Sequence, residues 1–284
     1  MSVTITDVVL RDGLQDEPVV VPVADRLAIA EALTDAGLRH LEVASFVNPR
    51  RVPQMSGAEE LLANLPKVPV RYSVLALNAR GVERAVAAGA QEVVLVTSAS
   101  QGHSKANAGK DVDAALSDVA DAVAAHPEVE FVAGISTAFV CPFDGEIDAS
   151  VTLRIARRFA GMGIRRIGLA DTLGTAEPGQ VLNTLRVVRE ALPGNEFGLH
   201  LHNAHGRALD TVDAAIDEGI TRFDSAAGGY GGCPFAPGAH GNIATGELVA
   251  HLHARGIPTG IDERALAHAV AVLEEALARA TPLT

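Results

Sequence analysis

The sequence predicts an α/β protein whose parallel strands close into a barrel. Three observations carry that expectation. Four segments repeat one junction: "DAGLRHLEVAS", "AAGAQEVVLVT", "GMGIRRIGLAD" and "DEGITRFDSAA" each run from a helical stretch through Gly37, Gly89, Gly163 or Gly219 into an apolar strand. Glycine just past a helix end tolerates the left-handed turn that other residues resist. The helix–strand alternation implies a parallel sheet. Finally, the remaining segments supply eight βα units in 284 residues, the number and length of a TIM barrel.

Taken in order, strands are expected near Thr4–Leu10, His40–Ser45, Arg71–Leu77, Glu92–Ala99, Glu130–Ala138, Arg166–Asp171, Glu196–Asn203 and Arg222–Ala226. Between them lie helical patterns such as "VADRLAIAEALTDA" and "DAALSDVADAVAAH". A last helix, "DERALAHAVAVLEEALARA", forms a C-terminal extension. A doubly wound open sheet is the alternative. It is weaker because the first βα turn, "LRDGLQDEP", lacks the G-x-G-x-x-G fingerprint. No Pro/Ser/Gly tract divides the chain, so residues 1–284 are expected to form a single barrel domain. The Gly-rich stretch near 228–242 is expected to be a mobile loop.

Composition narrows the function. With 48% hydrophobic and 20% charged residues the chain reads as globular. A net charge of −12 argues against a general nucleic-acid or anionic-membrane binder. Two cysteines argue for free thiols in a reducing compartment, and a cytoplasmic location is expected. The N-terminus enters strand-like sequence at once, which is unlike a signal peptide. No run of 18 apolar residues suggests a membrane span.

In a TIM barrel, functional groups sit at the C-terminal ends of strands. Arg11 and Asp12 follow strand one, Glu42 and Ser45 lie on strand two, Asp171 ends strand six, and His200 and His202 lie on strand seven. Polar groups in apolar strands are costly to bury unless paired or ligated. Imidazoles two apart share a strand face and can reach one divalent ion. The bland alternative is a pair of satisfied strand-end histidines. Asp12 offers a hard oxygen from a nearby strand, and Asn242 an amide oxygen from the loop after strand eight. Two imidazoles with two oxygens suit Mg²⁺, Mn²⁺, Co²⁺ or Zn²⁺.

Arg11 is either a structural ion pair or a fixed cation for a developing oxyanion. Glu42, flanked by apolar residues, is paired, protonated or working, and a salt bridge to Arg11 is the structural option. Cys233, on the Gly-rich loop, has the chemistry of a proton donor as much as of a nucleophile. Cys141 reads as structural or pocket-lining. His205, His251 and His253 read as peripheral; His240 is unassigned. Lys105 and Asn107 after strand four, and Arg50 and Arg51 after strand two, can meet an anionic substrate tail or remain solvated.

The segments "RDGLQ", "SFVNPRRVPQM", "LADTLGTAEPG", "GGCPFAPGAHGN" and "NIATGELV" occur in this order along nearly the whole chain. In them the chain resembles the 3-hydroxy-3-methylglutaryl-CoA lyase family of metal-dependent barrel lyases. The resemblance implies metal ligands Asp12, His200, His202 and Asn242, with Mg²⁺ or Mn²⁺ favoured. It implies Arg11 facing the thioester carbonyl and Cys233 as the catalytic thiol. It places Glu42 and Asp171 as active-site carboxylates and Lys105 and Asn107 on the CoA side. The implied reaction is retro-Claisen cleavage of an acyl-CoA substrate to acetyl-CoA and acetoacetate, as in leucine degradation, by a homo-oligomer. Asn203 departs from the family's frequent His-x-His-Asp. It leaves open another 3-hydroxyacyl-CoA such as citramalyl-CoA, or condensation of the isopropylmalate synthase type. A non-catalytic binding barrel is the remaining reading.

Overall fold

The computed structural model describes residues 2–232 and 241–283. Eight strands build its barrel: β1 (Thr4–Asp7), β2 (His40–Ser45), β3 (Arg71–Ala76), β4 (Glu92–Ser98), β5 (Glu130–Ser136), β6 (Arg166–Asp171), β7 (Glu196–Leu201) and β8 (Arg222–Ser225). They close into a barrel in the order β1-β8-β7-β6-β5-β4-β3-β2, every pair parallel. The expected eight-stranded TIM barrel is the observed one.

The helices are α1 (Val23–Asp35), α2 (Ala58–Asn64), α3 (Ala79–Ala87), α4 (Gln101–Ala108), α5 (Val112–Ala125), α6 (Ala149–Gly161), α7 (Pro178–Ala191), α8 (Ala208–Asp217), α9 (Thr245–Ala254) and α10 (Glu263–Arg279). The four junction glycines stand at φ +102°, +85°, +86° and +85°, as a helix C-terminus that turns directly into a strand requires. Several helices begin on a side-chain cap: Asn78, Ser100, Asp111, Asp148 and Asp262 each accept from a backbone N–H in the first turn. Helix α10 is the C-terminal extension and packs on α1.

Two local expectations change. Strand β1 stops at Asp7, because Val8 O accepts hydrogen bonds from the N–H groups of Arg11, Asp12 and Gly13 at 3.1, 2.7 and 3.3 Å. The chain from Val9 to Gly13 is therefore a short π-helical turn, and it carries Arg11 and Asp12 over the barrel mouth. Lys105 and Asn107 lie on helix α4, not in a loop. Ser100 Oγ caps that helix by accepting from His103 N at 2.9 Å.

Burial alternates along β5 to β8 with an unusual sense. Residues facing the helices are the buried set: Phe131, Ala133 and Ile135; Ile167, Leu169 and Asp171; Phe197, Leu199 and Leu201; Phe223 and Ser225. The residues of opposite parity, such as Val132, Gly134, Gly168, Ala170, Gly198, His200, Arg222 and Asp224, are only partly buried. The main hydrophobic core therefore lies between barrel and helices, while the barrel interior retains open space.

Candidate metal centre and active site

The inward-facing residues of β5 to β8, the π-turn and the mouth loops line one cavity of about 500 Å³. Arg11, Asp12, Glu42, His200, His202 and Asn107 all border it. At its mouth, ligand atoms of Asp12, His200 and His202 lie within 4.8 Å of one another. His200 Nε2 and His202 Nε2 stand 3.8 and 3.7 Å from the same oxygen, Asp12 Oδ2. These gaps are too long for hydrogen bonds. Ligand atoms each about 2.1 Å from a tetrahedral ion stand roughly 3.4 Å apart, close to the spacing observed. The donor set thus fits a divalent cation.

His200, Asp12 and Asn242 are each held from outside. His200 Nδ1 pairs with Asp224 Oδ2 at 3.3 Å, which fixes its ring so that Nε2 faces Asp12. Asn203 N donates to Gly241 O at 3.0 Å and Ile243 N to Leu201 O at 3.0 Å. These bonds lay the 241–243 segment along the end of β7 and bring Asn242 opposite His202. Asn242 Nδ2 donates to Asp12 Oδ2 at 2.7 Å and to Tyr230 O at 3.0 Å. Its Oδ1 is buried without a hydrogen-bond donor among the described residues. Turned over, the amide would present this oxygen to a cation held by the triad, which would supply the partner it lacks. Gly231 permits the arrangement: at φ +96°, a Cβ there would stand 2.6 Å from Asn242 Nδ2.

Arg11 bridges two carboxylates, with Nε to Glu42 Oε1 and Nη1 to Asp12 Oδ1. Burial works against all three charges. For Asp12 the charges of Arg11, His200 and His202 overcome that burial and hold the carboxyl well below the usual range. For Glu42 burial wins over Arg11 and the pKa is raised. His200 is raised despite burial, by its bond to Asp224 and by Asp12.

The other expected residues divide. Arg51 and Asn107 border the cavity, whereas Arg50 and Lys105 do not. Asp171 belongs to the helix-facing set of β6, and its carboxylate accepts from Gly174 N at 3.1 Å and Ala176 N at 3.0 Å. It shapes the loop after β6 and does not line the cavity. Asn203 Oδ1 accepts from Ala208 N, at the start of α8, at 3.1 Å. Cys141 is buried, with Phe143 N on its sulfur at 3.3 Å. His205 is exposed. His251 and His253 pair with Asp213 and Glu263 at 2.6 Å on the outer helices. Cys233 and His240 lie outside the described residues.

Sequence reasoning missed Asp224, Asp16 and Arg222, all of which line the cavity. Asp224 and Arg222 share inward parity in "RFDS", so charge on alternate strand residues was the available signal. Burial, followed by the charge of Asp12, pushes Asp16 up to about 6.

A closed barrel with a carboxylate–imidazole triad and a fixed arginine at its mouth defines a class: barrel enzymes equipped to polarise oxygen atoms and stabilise anions. The chain belongs to the HMGL-like family, whose profile matches residues 2–273. It is 40% identical to (R)-citramalyl-CoA lyase of Chloroflexus aurantiacus, over 99% of this chain and 93% of that protein. It is 37% identical to the cytoplasmic 3-hydroxy-3-methylglutaryl-CoA lyase of Mus musculus, over 92% of this chain and 77% of that one. An HMG-CoA lyase from Acinetobacter baumannii, solved with coenzyme A and 3-methylmalate, superposes with a TM-score of 0.93 at 36% identity, covering 99% of this chain and 93% of that one. Among the described residues no helix is long and apolar enough to cross a membrane.

Proposed function

We propose that this protein is a divalent-metal-dependent carbon–carbon lyase that cleaves 3-hydroxy-3-methylglutaryl-CoA to acetyl-CoA and acetoacetate. The observation that carries the reading is the Asp12–His200–His202 triad beside Arg11 at the cavity mouth. Asp12, His200 and His202 hold the cation, Mg²⁺ or Mn²⁺, and Asn242 adds its oxygen. The cation supplies Lewis acidity toward the substrate's oxygen atoms. Arg11, locked by Glu42 and Asp12, faces the thioester oxygen and stabilises the charge that develops there. The substrate hydroxyl loses its proton to a carboxylate or imidazole of the mouth, Asp12, His200 or Glu42. The C2–C3 bond then breaks, its electron pair passes to C2 as an enolate, and C3 becomes the ketone carbon. The Cys233 thiol returns a proton to C2. Lys105 and Asn107 sit on the side from which CoA enters. Asp171 positions the loop after β6.

Cleavage of citramalyl-CoA to acetyl-CoA and pyruvate is the second reading, favoured by the 40% identity to the Chloroflexus enzyme. The test is an assay of metal-stripped and metal-restored protein with both thioesters. Acetyl-CoA with acetoacetate supports the first reading, and acetyl-CoA with pyruvate the second. No product with either thioester and any divalent metal refutes the proposal.

A further inference from the structure

The cavity does not end at the metal triad. It continues down the barrel axis and is lined at depth by Val94, Val132, Arg166, Glu196 and Arg222. The opening has a definite cause. Gly134 on β5, Gly168 on β6 and Gly198 on β7 are direct neighbours in the sheet register, and all three face inward. A TIM-barrel interior is ordinarily filled at this level by bulky branched side chains. Here three adjacent strands supply none. Next to Gly168 an added Cβ would make only an ordinary contact, 3.6 Å from Ala133 O.

Arg222 occupies the space beside these glycines. A Cβ on Gly198 would stand 3.1 Å from Arg222 Cβ, so glycine at 198 is what lets the arginine side chain start across β7. Arg222 is one inward position below Asp224, about 6.6 Å along the strand. The other arginines at depth are neutralised. Arg166 pairs with Glu92 at 2.7 Å and Glu130 at 2.5 Å, and Arg71 pairs with the same two carboxylates. Arg222 has neither an ion pair nor a hydrogen bond among the described residues, although it is more than half-buried and borders the cavity. A buried guanidinium without an anion is costly. Burial, followed by the neighbouring Arg166, presses its pKa down, and the charges of Asp224, Glu196 and Glu92 offset this only in part, so the guanidinium lacks an anion in direct contact.

We infer that the barrel interior is the acyl subsite and that Arg222 recognises a carboxylate at the end of the acyl group's C3 substituent. Resting on the lyase reading above, this deepens it. The reaction is set at the mouth, while the preference for a carboxylated 3-hydroxyacyl group is set one layer below, by Arg222 and by the space above Gly168.

The experiment compares two thioesters differing only at the far end: 3-hydroxy-3-methylglutaryl-CoA and 3-hydroxy-3-methylpentanoyl-CoA, in which a methyl replaces the carboxylate. The ratio of kcat/KM for the carboxylated over the neutral substrate is measured in wild type, Arg222→Met and Arg222→Lys. Loss of a charge-assisted hydrogen bond is worth about 10- to 150-fold. The ratio should fall by that order in Arg222→Met, with a KM increase for the carboxylated substrate, and recover partly in Arg222→Lys. Gly168→Leu, which fills the same space, should raise KM for both thioesters. A ratio unchanged in Arg222→Met, or a parallel loss on both substrates, overturns the inference. Calorimetric titration with free 3-hydroxy-3-methylglutarate and 3-hydroxy-3-methylpentanoate reads the same preference without turnover. If wild type cleaves neither thioester, the lyase reading fails, and the titration still decides whether Arg222 selects the second carboxylate.

Discussion

Asp7 offers the sharpest quantitative prediction. It ends β1 on the helix-facing side, 1% exposed, directly beneath the π-turn that carries Arg11 and Asp12. Its carboxylate accepts from Val9 N at 2.9 Å and from Thr245 Oγ1 at 2.6 Å, while Thr245 Oγ1 and Ser225 Oγ stand 2.8 Å apart. The cluster ties β1, β8 and α9 together without a cation in contact among the described residues. Burial outweighs these bonds and pushes Asp7 up to about 6 from 3.8. That difference corresponds to about 3 kcal/mol. Because the acid's pKa is raised in the folded state, the native protein holds this proton more tightly than the unfolded chain. Between pH 3.8 and about 6 the native state is protonated there and the unfolded state is not. Stability from this group therefore falls as pH rises through that window, and the full cost stands above it. Asn at position 7 keeps an acceptor and cannot ionise. Relative to wild type, Asp7→Asn should gain about 3 kcal/mol between pH 3.5 and pH 8, roughly half of it already between pH 5 and pH 8. Urea unfolding of both proteins across that range measures the difference, which cancels every other titrating group. A difference independent of pH would refute the assignment of a costly buried charge.

Three further outcomes follow from the site. Replacing both His200 and His202 with Ala should abolish stoichiometric binding of Mn²⁺ in calorimetry and remove the stabilisation by excess metal, which is about 2.7 kcal/mol at 100 times Kd for the intact site. Arg11→Met leaves the buried Glu42 and Asp12 without their shared cation, and should lower stability by about 3–5 kcal/mol in denaturant titration while abolishing turnover. Asn203→Asp should change stability by less than about 0.5 kcal/mol, whereas Asn203→Ala should cost about 1 kcal/mol, because the side chain serves the start of α8 and Asp does that job equally well.

The barrel was legible because its signals are local. A glycine after a helix and an apolar strand after the glycine are adjacent in sequence, so four such junctions among eight candidate strands announced the topology before any contact was known. The metal triad was legible for a related reason: His200 and His202 sit at like parity on one strand, and Asp12 stands out from apolar surroundings. Where the reading faltered, side-chain direction was the missing quantity. Asp171 ends its strand as an active-site carboxylate should, yet it shares parity with Ile167 and Leu169 and turns to the Gly174 and Ala176 amides. Asn203 follows the second histidine and so faces away from the triad, toward Ala208. Its difference from aspartate therefore falls at a helix start and not at a ligand of the triad. The rung of Gly134, Gly168 and Gly198 was illegible for another reason. These residues become neighbours only through the register of three strands, which sequence spacing does not reveal.

That separation bears on how such a barrel can change its substrate. At the mouth, Arg11 and Asp12 are consecutive residues on one turn and bonded to each other, and Asp12 also faces both histidines. A substitution at either position disturbs the charge balance of all the others, so stability, metal affinity and chemistry are coupled there. One layer down, the coupling is weaker, running from Arg222 through the charge of Asp224 without a direct bond. Arg222 lies outside every ion pair of the described residues, and Gly168 touches the cavity through backbone alone. Filling or discharging that layer leaves the bonds around Arg11 and Asp12 intact. Variation in acyl group is therefore expected to be absorbed by the inward positions below His200 and Asp224, such as Gly168, Gly198 and Arg222, with the mouth held fixed, because selectivity shifts there with the least disturbance of the buried charges that the reaction needs.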